Sequence, residues 1–126
     1  MGNEQPERVR VRTFRDLQIW QKGMEISVEL YRLLRTLPKD EQFGLVSQMR
    51  RASISLPSNI AEGFRRGGQK EFKRFLYMAL GSAAELETQV ELCKRLHGLE
   101  GEGVEKILSM LNHFQAMTMK YIKGTS

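Results

Sequence analysis

Apolar residues return at steps of three and four along most of the chain after residue 14, and no stretch sustains the two-residue alternation of a strand. From Phe14 to Thr36 two such sets run side by side. One is Leu17, Trp20, Met24, Val28, Tyr31 and Leu34; the other is Ile19, Ile26, Leu30, Leu33 and Leu37. Leu37-Pro38 closes this first helix, because the residue before a proline is pushed out of the helical region. Asp40 is placed to cap a second helix, with Glu41 in its first turn where the helix dipole favours a carboxylate. Leu45, Met49, Ala52, Leu56, Ile60 and Gly63 give that helix one apolar face to about Arg66, and Gly67-Gly68 stops it. The third helix, Gln69 to about Leu96, has the most regular period, with Phe72, Leu76, Ala79, Ala83, Leu86, Val90 and Cys93 in its seam. After a turn from Gly98 to Gly103, a fourth helix runs from about Val104 to Ile122 with seam residues Ile107, Leu111, Phe114, Thr118 and Tyr121.

Four helices of similar length joined by short turns predict an all-α, up-down-up-down four-helix bundle over residues 14–122. Residues 1–13 read as a basic arm carrying Arg8, Arg10 and Arg12, and residues 123–126 as a short tail. The first helix has more apolar surface than one small bundle can cover. A helix apolar on two sides asks for a second neighbour, most simply another copy of the chain. A homo-oligomer is therefore expected.

Pro57 stands within the span of the second helix. A proline there removes one backbone donor, frees the carbonyl of Ser53 and costs about 3 kcal/mol unless neighbouring groups compensate. Ser53, Ser55 and Ser58 are the hydroxyls nearest in sequence. Beside the apolar face runs a polar stripe of Gln48, Arg51, Ser55, Asn59 and Glu62. Such a stripe is either solvated or a paired seam against another helix or another chain. The accumulation of Ser and Asn, which are poor helix formers, favours the seam, and Ser82, Glu85 and Gln89 downstream are spaced to meet it, Glu85 answering Arg51.

The chain has 126 residues, enough for one domain with a real core, and 20 Lys and Arg against 15 Asp and Glu give a formal charge of +5. That balance tilts the partner list towards polyanions. A single cysteine excludes an internal disulfide, and the amino-terminal stretch has no apolar run, so neither a signal peptide nor a membrane span is expected and a cytoplasmic protein is.

Candidate chemistry is sparse. Cys93 and His97 are one helical turn apart, but two residues do not make a metal site, and Cys93 fits a seam position as a small hydrophobe. No histidine lies near the serines of the second helix, and Gly67-Gly68 follows a helix and lacks the Gly-Lys-Ser/Thr ending of a phosphate-binding loop. No catalytic constellation, cofactor or metal is expected. The richest feature is the turn Arg65-Arg66-Gly67-Gly68-Gln69-Lys70-Glu71-Phe72-Lys73-Arg74, where five basic side chains and one acid crowd a helix amino terminus. Phosphate is drawn to such a turn by charge and by free backbone amides together. The competing reading is a solvated basic turn.

Several strings are more specific than any period. Phe14-Arg15-Asp16-Leu17-Gln18-Ile19-Trp20, Gln48-Met49-Arg50-Arg51-Ala52, Ser55-Leu56-Pro57-Ser58-Asn59-Ile60-Ala61-Glu62-Gly63 and Gly81-Ser82-Ala83-Ala84-Glu85-Leu86-Glu87 resemble the bacterial four-helix-bundle family of the ribosomal RNA intervening-sequence protein, over Phe14 to about Ile122. The resemblance implies a homopentameric ring. It also implies kinship with accessory variability proteins of diversity-generating retroelements, which are basic, pentameric, and bind nucleic acid and a reverse transcriptase. It carries no catalytic residues. In its light Arg51, Ser55, Asn59, Glu62 and Glu85 read as a structural polar seam, and Arg50, Arg65, Arg66, Lys70, Lys73 and Arg74 as contacts to RNA or DNA. The function expected is a non-enzymatic, oligomeric binder of nucleic-acid backbone, acting alone or as accessory subunit of a reverse transcriptase. The alternatives are an intervening-sequence-associated protein or a protein scaffold with no nucleic-acid role.

Overall fold

The computed structural model describes residues 11–39 and 44–124. Four helices follow one another, α1 (Gln18–Leu34), α2 (Leu45–Arg65), α3 (Gln69–His97) and α4 (Glu102–Gly124), and no strand occurs among the described residues. Their lengths are unequal: α3 has 29 residues against 17 in α1, about 44 Å against 26 Å. The chain does not enter α1 at Phe14 as its apolar period predicts. Phe14–Asp16 is a separate single turn of tighter helix, closed by a capping box in which the Thr13 hydroxyl accepts from the Arg15 N–H while the Asp16 carboxylate accepts from the Arg12 and Thr13 N–H groups. Leu17 then adopts extended backbone before α1 begins. Local capping overrides the apolar period here.

Asp40 and Glu41 lie outside the described residues, as does the arm up to residue 10. Within them α2 begins at Leu45, after Gly44. Lys123 and Gly124, assigned to the tail by the pattern, continue α4. At the end of α3, Gly98 takes the left-handed conformation (φ 64°), so that its N–H reaches the Lys94 carbonyl and the Leu99 N–H reaches that of Cys93.

Each helix touches its two sequence neighbours in the ring α1-α2-α3-α4, and neither diagonal pair meets. Ile26, Leu30 and Leu34 of α1, Met49, Leu56 and Ile60 of α2, Leu76, Leu86 and Val90 of α3, and Ile107, Leu111 and Phe114 of α4 fill the shared core. Cys93 belongs to it, its Sγ 3.6 Å from Met49 Sδ. Among the described residues no helix is long and apolar enough to cross a membrane.

Pro57 does not break α2, which runs through it unbroken. The freed Ser53 carbonyl accepts a hydrogen bond from the Ser27 hydroxyl of α1 at 2.9 Å. The serines expected to compensate do other things: Ser53 Oγ donates to the Arg50 carbonyl, Ser55 turns to α3, and Ser58 is exposed. Gly23 makes room for the proline, since a Cβ there would lie 3.1 Å from the Pro57 nitrogen and 3.3 Å from its Cδ. A missing side chain on α1 thus admits the ring, and one turn further on a hydroxyl replaces its missing donor.

The apolar set of α1 that begins at Leu17 splits. Leu17 and Leu34 are buried and Trp20 half-buried, but Met24, Val28 and Tyr31 stand 41%, 49% and 37% exposed. The chain's own fold leaves that stripe uncovered. At the opposite corner, α3 exposes Tyr77, Met78, Leu92 and Leu96.

Candidate nucleic-acid interface

The α2–α3 turn is tight because Gly67 takes φ +85°, a conformation that side-chain-bearing residues rarely adopt. Gly68 then starts α3 with no side-chain cap, so the first amides of that helix have no capping acceptor. Around this end stand Arg65, Arg66, Lys70, Lys73 and Arg74, of which only Lys73 is partly buried.

Two of these cations are held by acids of their own helix. Arg66 Nη2 lies 2.8 Å from Glu62 Oε2, and Arg74 Nη2 lies 3.0 Å from Glu71 Oε1. Both guanidiniums also rest on the ring of buried Phe75, at 5.2 Å and 4.6 Å from its centroid. Arg65 reaches over the ring of Phe14 at 5.9 Å. The hydrogen bond from Arg74 holds the Glu71 carboxyl below the usual glutamate range, and the positive field of Arg74, Arg66 and Lys70 adds to the effect. The arginines are thereby held in place, and five cations against two carboxylates leave the turn positive. Exposed ion pairs of this kind contribute about 0–1 kcal/mol, and a guanidinium with five N–H donors can serve a carboxylate and a phosphate at once.

Arg50 stands apart. It lies 15 residues before Arg65 on the same helix, about 22 Å away, with its guanidinium 5.1 Å from the centre of the Tyr31 ring on α1. Its Nε is buried with no hydrogen-bond partner. The structure therefore gathers Arg65, Arg66, Lys70, Lys73 and Arg74 at one end of the bundle and leaves Arg50 at the far end of α2.

The polar stripe faces α3, and only its middle is knit together. Ser55 Oγ and Ser82 Oγ are 2.7 Å apart across the helix pair, and Asn59 Nδ2 donates both to the Ser55 carbonyl (2.9 Å) and to Ser55 Oγ (2.8 Å). Glu62 pairs within its own helix, with Arg66, and is exposed. Arg51 and Glu85 line one cleft on facing helices, yet no ion pair joins them. The spacing that put them opposite each other does not fix their rotamers, and exposed side chains have little to hold them together. Gln89, one turn beyond Glu85, is buried and donates weakly to it at 3.5 Å, while its Oε1 has no partner. Sequence spacing missed Ser27 altogether, because the need it meets becomes visible only when Pro57 is seen against α1. Among the described residues no three His, Cys, Asp or Glu side chains are grouped to hold a metal ion.

The sequence profile of a family described as the 23S rRNA-intervening sequence protein matches residues 15–120. The chain belongs to that family. The match takes in α1 to α3, the basic turn and most of α4. Among solved structures the chain is similar to a crystal structure from Bacteroides thetaiotaomicron, described as a protein of unknown function from the S23 ribosomal protein family. The two are 25% identical with a TM-score of 0.73, over 83% of this chain and 98% of that one. No curated protein matches the chain. The four-helix bundle is shared with that structural neighbour.

Proposed function

We propose that this member of the family is a non-enzymatic, self-associating bundle that binds the phosphate backbone of RNA or DNA through the turn between α2 and α3. The observation that carries the reading is the grouping of Arg65, Arg66, Lys70, Lys73 and Arg74 around an uncapped helix amino terminus. Five cations around free helix amides, against two acids and a single side-chain amide, Gln69, favour contacts to phosphate over contacts to base edges. Binding of this kind is weakly sequence-specific and falls steeply with salt.

Self-association is supported by the uncovered apolar side chains of two helices, Met24, Val28 and Tyr31 on α1 and Tyr77, Met78, Leu92 and Leu96 on α3. They sit on helices that do not touch, so the patch of one copy can meet the other patch of the next, the head-to-tail kind of contact from which rings are built. A ring of five is the number the family resemblance implies. A ring repeats the basic turn around its axis, and several weak phosphate contacts then act together. The same apolar patches favour a second reading, a scaffold that binds protein and leaves its basic turn solvated. The accessory subunit of a diversity-generating reverse transcriptase combines the two.

Light scattering with and without a single-stranded RNA, at low and high salt, tests the proposal. A particle several times the 14.6 kDa chain that takes up RNA only at low salt supports it. A particle that takes up no RNA at any salt overturns the nucleic-acid reading and leaves the scaffold.

A further inference from the structure

Between α2 and α3 lies a polar cleft of about 370 Å³, lined by Ser47, Gln48, Arg51, Ser55, Ser82 and Glu85 over a small apolar floor at buried Ala52. Three of its groups lack a partner of their own kind. Arg51 pairs with no carboxylate among the described residues, and Glu62, the one acid of its helix, is taken by Arg66. Glu85 pairs with no cation there and receives only the long bond from Gln89. The third is a hydroxyl hydrogen. Ser55 and Ser82 share one hydrogen bond between two hydroxyls, and Asn59 adds a donor to Ser55, so one of the two hydroxyl hydrogens is left without an acceptor.

We infer that this cleft binds a small zwitterion, a molecule carrying a carboxylate at one end and an ammonium group at the other. The carboxylate lies against the Arg51 guanidinium and takes the spare serine hydrogen, and the ammonium lies against the Glu85 carboxylate. Ala52 at the floor accepts the methylenes between them. No aromatic ring lines the cleft, which argues against a nucleobase, since a base would have no face to stack on. The volume falls at the lower end of the range of small-molecule pockets, in keeping with a ligand of this size. The site is separate from the phosphate-binding turn and stands or falls independently of it.

The test uses the full chain and the ω-amino acids glycine, 4-aminobutyrate and 6-aminohexanoate as probes, with hexanoate and hexylamine as single-charge controls, followed by titration of assigned backbone amide signals. One zwitterion length is expected to shift the signals of residues 48–55 and 82–85 saturably, while the two controls shift them at least about tenfold more weakly, the effect of losing one charged hydrogen-bonding partner. Arg51→Gln and Glu85→Gln each lower the affinity by about the same factor, and Lys120→Gln, an equal charge change on exposed α4, does not. Arg51 and Glu85 are both exposed, so these variants keep the fold, which the spectrum itself reports. Absence of any saturable shift, equal binding of hexanoate or hexylamine, or full affinity in either cleft variant overturns the proposal.

Discussion

Ser27→Ala removes the one group that, among the described residues, serves the carbonyl freed by Pro57. The Ser27 hydroxyl donates to Ser53 O at 2.9 Å, and Ser53 itself is fully buried. Leaving such an acceptor unsatisfied costs about 1–3 kcal/mol, and because the contact is only part-buried the lower half of that range, roughly 1–2 kcal/mol, is expected. For a chain of 126 residues this corresponds to a fall of about 4–8 °C in Tm. A plain loss of stability would not single out this hydrogen bond, so the decisive comparison is made in a second background. Pro57→Ala restores an N–H at residue 57, which can bond the Ser53 carbonyl within the helix. In that background Ser27→Ala is expected to cost about 0.5 kcal/mol or less, a coupling of at least about 0.5 kcal/mol between two residues on different helices. Chemical denaturation of the four proteins at one fixed chain concentration, so that self-association contributes equally, measures it. Ser27→Thr, which keeps a hydroxyl, should retain most of the stability. Equal costs of Ser27→Ala in the two backgrounds would refute the assignment of the hydroxyl to the proline.

Reversing charge at Arg65, Arg66 and Lys73 together should weaken RNA binding and flatten its salt dependence, while far-UV circular dichroism stays unchanged; undiminished affinity would sink the contact assignment. Gly63→Ala should destabilise the bundle by about 1–3 kcal/mol, because its Cβ would meet Phe75 Cβ at 2.5 Å and α3 would have to move away from α2; a neutral result in urea denaturation would show the helices are not held that close. Asn59→Leu loses both bonds to Ser55 and should cost about 0.5–1.5 kcal/mol or shift the assembly mass, whereas an unaltered Tm and mass would mean the stripe is solvated. The Arg12 and Thr13 amides hold the Asp16 carboxyl below the usual aspartate range. A depressed folded pKa means the cap is fully formed above the unfolded value and is lost as pH falls through the folded one. Amide signals of residues 12 and 13 should therefore stay put from neutral to mildly acid pH and move only below the ordinary aspartate range, and Asp16→Asn should abolish that transition.

The candidate site was legible in part. Five of the six predicted basic contacts do meet at the α2–α3 turn, because residues within nine positions of a tight glycine turn cannot be far apart whatever the fold. Arg50 does not, since a position near the start of a 21-residue helix cannot share a patch with its end. Glu62, read from its spacing as a seam residue, pairs with Arg66 instead, and Glu71 with Arg74, at four- and three-residue spacings along the chain.

The four helices, their apolar seams, the stop at Gly67-Gly68 and the surplus apolar face of α1 are legible in the chain, because each follows from local periodicity or from the backbone preferences of single residues. Only the tertiary structure decided which helix satisfies the carbonyl behind Pro57, that Ser55 meets Ser82 while Arg51 and Glu85 stay unpaired, and where Arg50 lies. Those outcomes turn on distances between helices and on side-chain rotamers. Spacing along one helix tells which residues share a face; what stands opposite that face is set by how the core packs.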